Sequence, residues 1–206
     1  SIYSDIISKY IKNERNKWFK KLDLIEICIK YLYSKCEKDS RISFLVDLFV
    51  GELSHHFKRL NFAYRIVNKE IVEITSEEEI KEIETALNTS KDNIKIHLNN
   101  ALELYSQRPM ADYRNSIKES ISAVEAISRN ITGENVLNFK KMEEKGVFVP
   151  TVLRKAFECL YGYTNDKTTG IRHALMDDIN APQAEEALFM LVSCSAFINY
   201  LNKKIK

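Results

Sequence analysis

At 206 residues, of which 45% are hydrophobic, the chain can bury one large core or two small ones, which excludes a wholly disordered protein. Its 31 basic and 29 acidic side chains give a net charge of only +2, which excludes a global field that attracts nucleic acid or an anionic membrane. Any binding of nucleic acid therefore has to be local.

The compartment is predicted from the cysteines and from the hydropathy of the chain. Cys28, Cys36, Cys159 and Cys194 form no CxxC pair, so we expect buried free thiols in a reducing environment. No apolar run approaches the roughly 18 residues of a membrane span, and the N-terminus is too charged for a secretory signal. We expect a cytoplasmic protein that has no membrane partner. Because the chain starts at Ser1 and not at Met, a further segment ahead of it is to be kept in mind.

The first part of the chain predicts two helices and a hairpin. Only five glycines and three prolines interrupt a pattern in which apolar residues recur every three or four positions, which indicates a mainly α-helical fold. Amphipathic helices are predicted along the stripes from Trp18 to Leu32 and from Ile42 to Leu60. Residues 62–74 change to β-branched and aromatic types around Asn68-Lys69, which predicts one small β-hairpin.

The second part predicts helices only. Ser76 and Glu79 have capping-box spacing, so a helix is expected from Glu77 to about Asn88. We place a domain boundary after it, between a helical region 1–89 and a helical bundle 90–206. The helices predicted in the bundle run from about Ser90 to the interruption at Pro109, from Asp112 to Ile131 before Gly133, around Asn135 to Glu144, from Thr151 to Tyr161, and from Gln183 to about Lys203.

The candidate site is the segment from Tyr161 to Asp178, YGYTNDKTTGIRHALMDD, because catalytic residue types crowd together there. The chain lacks a phosphate-binding P-loop, a dinucleotide fingerprint, a zinc-protease HExxH and a nucleophile elbow. Within this segment a polar loop precedes the adjacent Arg172 and His173. A loop of this kind can direct both side chains at a ligand.

Arg172 and His173 have the chemistry for RNA cleavage without a metal ion or other cofactor. Histidine can act as acid or base on a ribose 2′-hydroxyl, and a guanidinium can hold a phosphate through two hydrogen bonds. The structural alternative is that Arg172 pairs with Asp177, Asp178 or Glu185, and that His173 packs in the bundle.

Several segments resemble a known family. The stretches YRNSIKESISAVEAISRNITG, LRKAFECLYGYTNDKTTGIRHALMDD and EEALFMLVSCSAFINYL resemble the HEPN-type helical domain of bacterial abortive-infection proteins of the AbiJ type. Upstream, WFKKLDLI and NFAYRIVNKEIVEITSEEEIKEIETAL are similar to the AbiJ-associated N-terminal domain that precedes it. The resemblance covers most of the chain.

The resemblance implies an all-α, antiparallel helical bundle that pairs as a homodimer and forms a composite RNA-cleaving site at the dimer face. HEPN ribonucleases carry an arginine, a polar residue and a histidine, with four to six residues between the arginine and the histidine. In this sequence the positions that correspond to the arginine, counted back from His173, are occupied by Asp166, Lys167 and Thr168. Asn165 lies outside the usual position of the polar residue. Lys167, Asn165 and Asp166 are thus the candidate substrate-binding residues. An acid from the long helix, Glu119 or Glu125, would complete the site.

Two functions stay open at this point. The first is a metal-independent endoribonuclease in phage defence or in a toxin-antitoxin pair, with His173 as acid and base and with Arg172, joined by Lys167, on the phosphate. The second is a non-catalytic dimerising module in which the loop recognises a partner protein or a nucleotide. The polar loop favours the first function, and the altered arginine spacing favours the second.

Overall fold

The computed structural model describes residues 2–37, 39–60, 62–74, 76–166, 171 and 181–205. Within them lie nine α-helices and one two-stranded antiparallel sheet, which confirms a mainly α fold with one small hairpin. The chain forms two compact units, one of residues 1–75 with 108–110 and one of residues 76–107 with 111–206. The helix 77–89 groups with the second unit, and the domain boundary after Thr89 stays a prediction.

The first unit contains three helices and the hairpin. Its small core joins Leu22 and Phe57 from two of the helices to Ile71 of the hairpin. The burial of these side chains holds the sheet, which is too small to be stable by itself, against the helices. The elements are α1 (Ile2–Lys12), α2 (Trp18–Cys36), a 3₁₀ turn (Ser40–Ile42), α3 (Ser43–Arg59), β1 (Arg65–Val67) and β2 (Glu70–Val72).

The hairpin turns at Asn68 and Lys69, as the sequence predicts. Both residues have positive φ angles, 46° and 74°, which is the conformation of a two-residue turn that matches the twist of the flanking strands. Ile66 pairs with Ile71 in the resulting register. All three residues of β2 are buried, so the strand contributes both of its faces to the unit.

The apolar stripe of α3 differs from the prediction. Val46, Leu53 and Phe57 face the inside of the unit, whereas Leu45 is 61% and Phe49 50% exposed. Because α3 carries apolar side chains on more than one face, helical spacing alone could not select the buried face.

A buried ion-pair network joins α2 to β2. The Arg108 side chain, only 8% exposed, donates from Nε to Asp23 at 2.9 Å, from Nη2 to Glu26 at 2.8 Å and from Nη1 to the carbonyl oxygen of Ile71 at 2.6 Å. Glu26 also accepts from the Ile71 amide at 2.8 Å and from Lys30 at 3.2 Å. Every charge in the network therefore has a partner, which is the condition under which a buried charge is tolerated.

Stability of the first unit should fall in acid because of Glu26. Burial works to raise the pKa of Glu26, but the hydrogen bonds from Arg108 and from the Ile71 amide, with the charges of Arg108 and Lys30, lower it below its ordinary value of 4.5. A lowered folded-state pKa means that the stabilisation is fully present above pH 4.5 and is lost as the pH falls through the lowered pKa. We expect urea midpoints to drop on acidification, and to drop less in Glu26→Gln. Parallel midpoints for the two proteins across that pH range would contradict this account.

The second unit is a helical bundle in which three helix ends agree with the predicted signals, whereas the helix predicted to end at Tyr161 continues to Asn165. Ser76 Oγ accepts from the Glu79 amide, Asp112 caps the long helix through the Asn115 amide, and Gly133 ends that helix with φ of 81°. The elements are α4 (Glu77–Thr89), α5 (Asp92–Ser106), α6 (Tyr113–Thr132), α7 (Phe139–Glu144), α8 (Thr151–Asn165) and α9 (Ala184–Ile205).

Helices α5, α6, α9 and α4 form the centre of this bundle, and α7 and α8 pack on α6. Apolar side chains of α6 at three- and four-residue spacing are fully buried, as predicted. The ring of Phe157 on α8 stacks on Phe197 of α9, with 3.5 Å between the ring centroids. Both aromatic rings thus belong to the core and not to a ligand-binding surface. The buried face of α6 consists of Ile117, Ile121, Val124 and Ile127.

Helix α9 corrects one expectation from the sequence. Among the helices that the structure describes, it alone is long and apolar enough to cross a membrane by length and composition. Half of its apolar window is buried inside the bundle, and the core helix of a soluble protein passes the same test. Its buried side chains include the predicted inner face, Ala187, Leu191, Cys194, Ile198 and Leu201.

The cysteines are free, as predicted, but they are not all buried. Cys159 is exposed on α8, and Cys28 and Cys36 are partly buried on α2. Burial raises the pKa of the Cys194 thiol to about 12, so this thiol stays protonated and unreactive at neutral pH.

Candidate functional site

The predicted catalytic pair lies outside the described residues. Arg172, His173 and Lys167 fall in the ranges 167–170 and 172–180, for which the structure gives no account. Their flanks are defined, because α8 ends at Asn165 and α9 begins at Ala184. Between them Ile171 is buried, with 3% of its surface exposed.

The two predicted loop residues at the end of α8 are both exposed. Asn165 is the last residue of the helix, and its side-chain amide reaches back to the carbonyl oxygen of Tyr161 at 3.4 Å. Asp166 follows as the C-cap residue, in an extended conformation. Burial, together with the charges of Glu186 and Asp166, raises the pKa of the neighbouring Tyr163. Its phenol is therefore a neutral hydrogen-bond donor beside the loop.

Glu125 of α6 is brought to α8. The Tyr161 hydroxyl donates to Glu125 Oε1 at 2.8 Å, one helical turn before Asn165. Glu125 is only partly buried. The Tyr161 hydroxyl thus holds the Glu125 carboxylate about one helical turn before the end of α8 at Asn165.

Glu119 is directed elsewhere. Its Oε2 atom lies 2.8 Å from Nδ1 of His97 and accepts from the Asn100 side chain at 3.5 Å, both on α5. Six residues along a helix of 3.6 residues per turn separate Glu119 from Glu125, so the two carboxylates face different neighbours. Of the two candidate acids, the structure brings Glu125 and not Glu119 to the end of α8.

A cleft of about 490 Å³ opens beside Tyr161, and no pattern in the sequence indicated it. Lys140 and Arg154 are among its lining residues, together with Glu158 and Tyr161. Arg154 Nε lies 3.6 Å from Glu158, an ion pair at a distance too long for a hydrogen bond. The guanidinium therefore keeps donors for a further acceptor.

One face of α8 connects this cleft with the polar loop. Arg154, Glu158, Tyr161 and Asn165 follow one another at spacings of four, three and four residues, which places them along one side of the helix. The spacing is visible in the sequence, but Arg154 and Glu158 stand before the segment in which catalytic residue types crowd together.

Comparison with known proteins assigns the first part of the chain. Residues 1–89 match the family AbiJ N-terminal domain 4. No curated protein and no solved structure matches the chain. The match confirms the AbiJ-related resemblance of this region, whereas the HEPN-type resemblance of residues 90–206 stays a prediction.

The AbiJ N-terminal domain match includes α1 to α4 and the hairpin. The ion-pair network around Glu26 holds the hairpin of this domain in place, and no predicted catalytic residue lies within residues 1–89. An AbiJ-related domain suggests a role in abortive infection, a form of defence against phage.

Proposed function

We propose that the chain is a bacterial phage-defence protein of the abortive-infection kind whose second unit cleaves RNA without a metal ion. His173 acts as acid and base, and Arg172 binds the scissile phosphate. Lys167, Asn165 and Asp166 contact the RNA, and Glu125 is the helix-borne acid of the site. Two copies pair in the cytoplasm, so that two such loops lie side by side.

The observation that carries the proposal is the polar face of α8. This face leads from the cleft lined by Arg154 and Lys140, past the Tyr161–Glu125 hydrogen bond, to Asn165 at the start of the loop. The cleft at one end of this face has two cations, Arg154 and Lys140, which suit the phosphates of a single strand, because phosphate contacts supply most of the affinity for nucleic acid. A strand on this face would reach the loop that carries Arg172 and His173.

The cleavage step needs no group beyond these side chains. His173 takes the proton of a ribose 2′-hydroxyl, and the 2′-oxygen forms a bond to the adjacent phosphorus. The bond from phosphorus to the 5′-oxygen breaks, and this oxygen takes up the proton that His173 accepted. The products are a 2′,3′-cyclic phosphate and a 5′-hydroxyl end. Arg172 stabilises the charge that develops on the phosphate oxygens, which is the usual task of a fixed guanidinium in such a step.

The test is incubation of the purified chain with total RNA in the presence of EDTA, followed by analysis of the new ends. We expect fragments that end in 2′,3′-cyclic phosphate and begin with a 5′-hydroxyl. RNA that stays intact, or fragments with 5′-phosphate ends, would contradict the proposal. Analytical ultracentrifugation of the same sample checks the pairing, and a monomer with full activity would rule out a composite site.

A further inference from the structure

Helix α3 of the first unit presents large apolar side chains to solvent. Phe44 is 73% exposed, Leu45 61%, Leu48 53% and Phe49 50%. Residues spaced by one and by four positions are neighbours on a helix, so these four form one continuous surface, the α3 patch. Together they expose roughly 400 Å² of apolar side chain, and a patch of that size is often a binding surface.

The packing of the first unit does not account for the α3 patch. The inner side of α3 already contributes Val46 and Phe57 to the interior. Asp47 accepts a hydrogen bond from the Tyr33 hydroxyl of α2 at 2.9 Å, so the acid at the centre of the segment has its partner within the unit. The four apolar side chains of the patch are thus additional to those that the fold buries.

The sequence around the patch is nearly symmetric about its midpoint, which lies between residues 46 and 47. In both directions from that point the chain meets a leucine, then a phenylalanine, and then a charged residue at equal distances. The two charges are of opposite sign, Arg41 on one side and Glu52 on the other. An isologous contact needs a surface that is complementary to itself, and two antiparallel α3 helices related by a two-fold axis at this midpoint satisfy that need.

The flanking charges are placed to pair between copies and not within one. Along the helix about 16 Å separate Arg41 from Glu52, too far for an ion pair in one chain. The Arg41 guanidinium donates from Nε and Nη2 to Asp39 at 2.8 Å each, and its Nη1 group stays available for a further acceptor. Glu52 is exposed on α3. In the antiparallel arrangement each arginine faces the glutamate of the other copy.

The area of this surface suits a small interface between two copies. Two α3 patches that face each other would bury about 800 Å² of apolar surface, and the four flanking charged side chains add to it. The total approaches the roughly 1,000 Å² of a specific interface.

We propose that α3 forms an isologous, antiparallel contact with α3 of a second copy of this chain, with the two-fold axis between residues 46 and 47. The α3 patches pack against each other, and Arg41 of each copy pairs with Glu52 of the other. This contact lies in the first unit, whereas the pairing proposed above places the loops of the second unit side by side. It goes beyond RNA cleavage and does not depend on it.

Disulfide cross-linking of the whole chain tests the contact, in a Cys159→Ser background that removes the exposed native thiol. In the proposed register the two copies of residue 48 are offset by only about 4.5 Å along the helices, within reach of a disulfide. We expect Leu48→Cys to form covalent dimers under oxidation by copper phenanthroline, with the link at residue 48 in peptide maps. The matched control is His55→Cys, also exposed on α3, whose copies are offset by about 25 Å and should not cross-link. Absence of the Leu48→Cys dimer, the result expected if a different protein covers the patch, or equal yields at the two positions would overturn the proposal.

Exchange of the flanking charges tests the register. In the Leu48→Cys background, Arg41→Glu and Glu52→Arg should each slow cross-linking at least about tenfold, because like charges then face each other. The double variant Arg41→Glu/Glu52→Arg restores opposite charges across the contact and should recover the rate, whereas Arg15→Glu, at an exposed arginine outside α3, should leave the rate unchanged. A double variant as slow as the single variants would contradict the pairing. Because the readout is a link at residue 48, a failure of RNA cleavage or of pairing through the loops leaves this test intact.

Discussion

Replacing His173 by alanine is expected to slow RNA cleavage by about 10²- to 10⁴-fold, the range of a positioned acid–base catalyst. The loss arises because His173 is the group of the proposed site that takes the 2′-hydroxyl proton. Arg172→Ala should slow the reaction by about 10²- to 10³-fold, since the charge that develops on the phosphate loses its fixed donor.

Initial rates on a labelled RNA in EDTA measure both effects. The matched control is His55→Ala, which removes an exposed histidine of α3 in the first unit and should keep the wild-type rate. If His173→Ala and His55→Ala cleave equally well, Arg172 and His173 are not the catalytic pair. Melting curves of all variants separate a loss of catalysis from a loss of folding.

Replacing Arg108 by methionine is expected to lower the free energy of unfolding of the first unit by about 3–5 kcal/mol. Methionine keeps most of the length of the side chain but removes the guanidinium, so Asp23 loses its cation and Glu26 keeps only Lys30 as a counter-charge. The carbonyl oxygen of Ile71 loses its donor at the same time. Such a loss is large because a buried charge without a partner costs more than the intact pair contributes.

Urea titration followed by tryptophan fluorescence measures this effect selectively. Trp18 is the one tryptophan of the chain and lies in the first unit, with its ring centroid 5.8 Å from that of Tyr64. Arg114→Met, at an exposed arginine of α6, is the control and should change stability by less than about 0.5 kcal/mol. The triple variant Arg108→Met/Asp23→Asn/Glu26→Gln should regain part of the loss. A stability of Arg108→Met equal to that of the control would refute the role of the network.

Local signals in the sequence predicted local structure well. The turn at Asn68-Lys69, the cap at Ser76 and the stop at Gly133 depend on side chains within a few residues of each other, and all three are confirmed. The faces of the helices were harder to predict. Leu45 and Phe49 have the spacing of a buried stripe but point outwards, because the neighbours that choose the face of α3 come from distant parts of the chain.

The candidate site shows the same division between features set by local sequence and features set by distant neighbours. The polar segment from Tyr161 to Asp178 was singled out from residue types in one stretch of sequence, but the continuation of α8 to Asn165 was not predicted, since the helix was expected to end at Tyr161. The choice between Glu119 and Glu125 depends on which helix packs on each side of α6, and the cleft with Arg154 depends on how α8 lies beside the segment after α6. Neither could be derived from the spacing along a single helix.

By itself, the sequence determined that this protein is a mainly helical chain with one hairpin, and it predicted a polar loop ahead of the last helix. The helices and the hairpin rest on short-range patterns of hydrophobicity, capping and turn residues. The AbiJ-related first part rests on its resemblance to a known family, which the match over residues 1–89 confirms. Only the tertiary structure decided that Arg108 neutralises Asp23 and Glu26, and that Lys140 and Arg154 share one cleft. Charges far apart in the chain interact only when packing brings them together, and no local pattern encodes that distance.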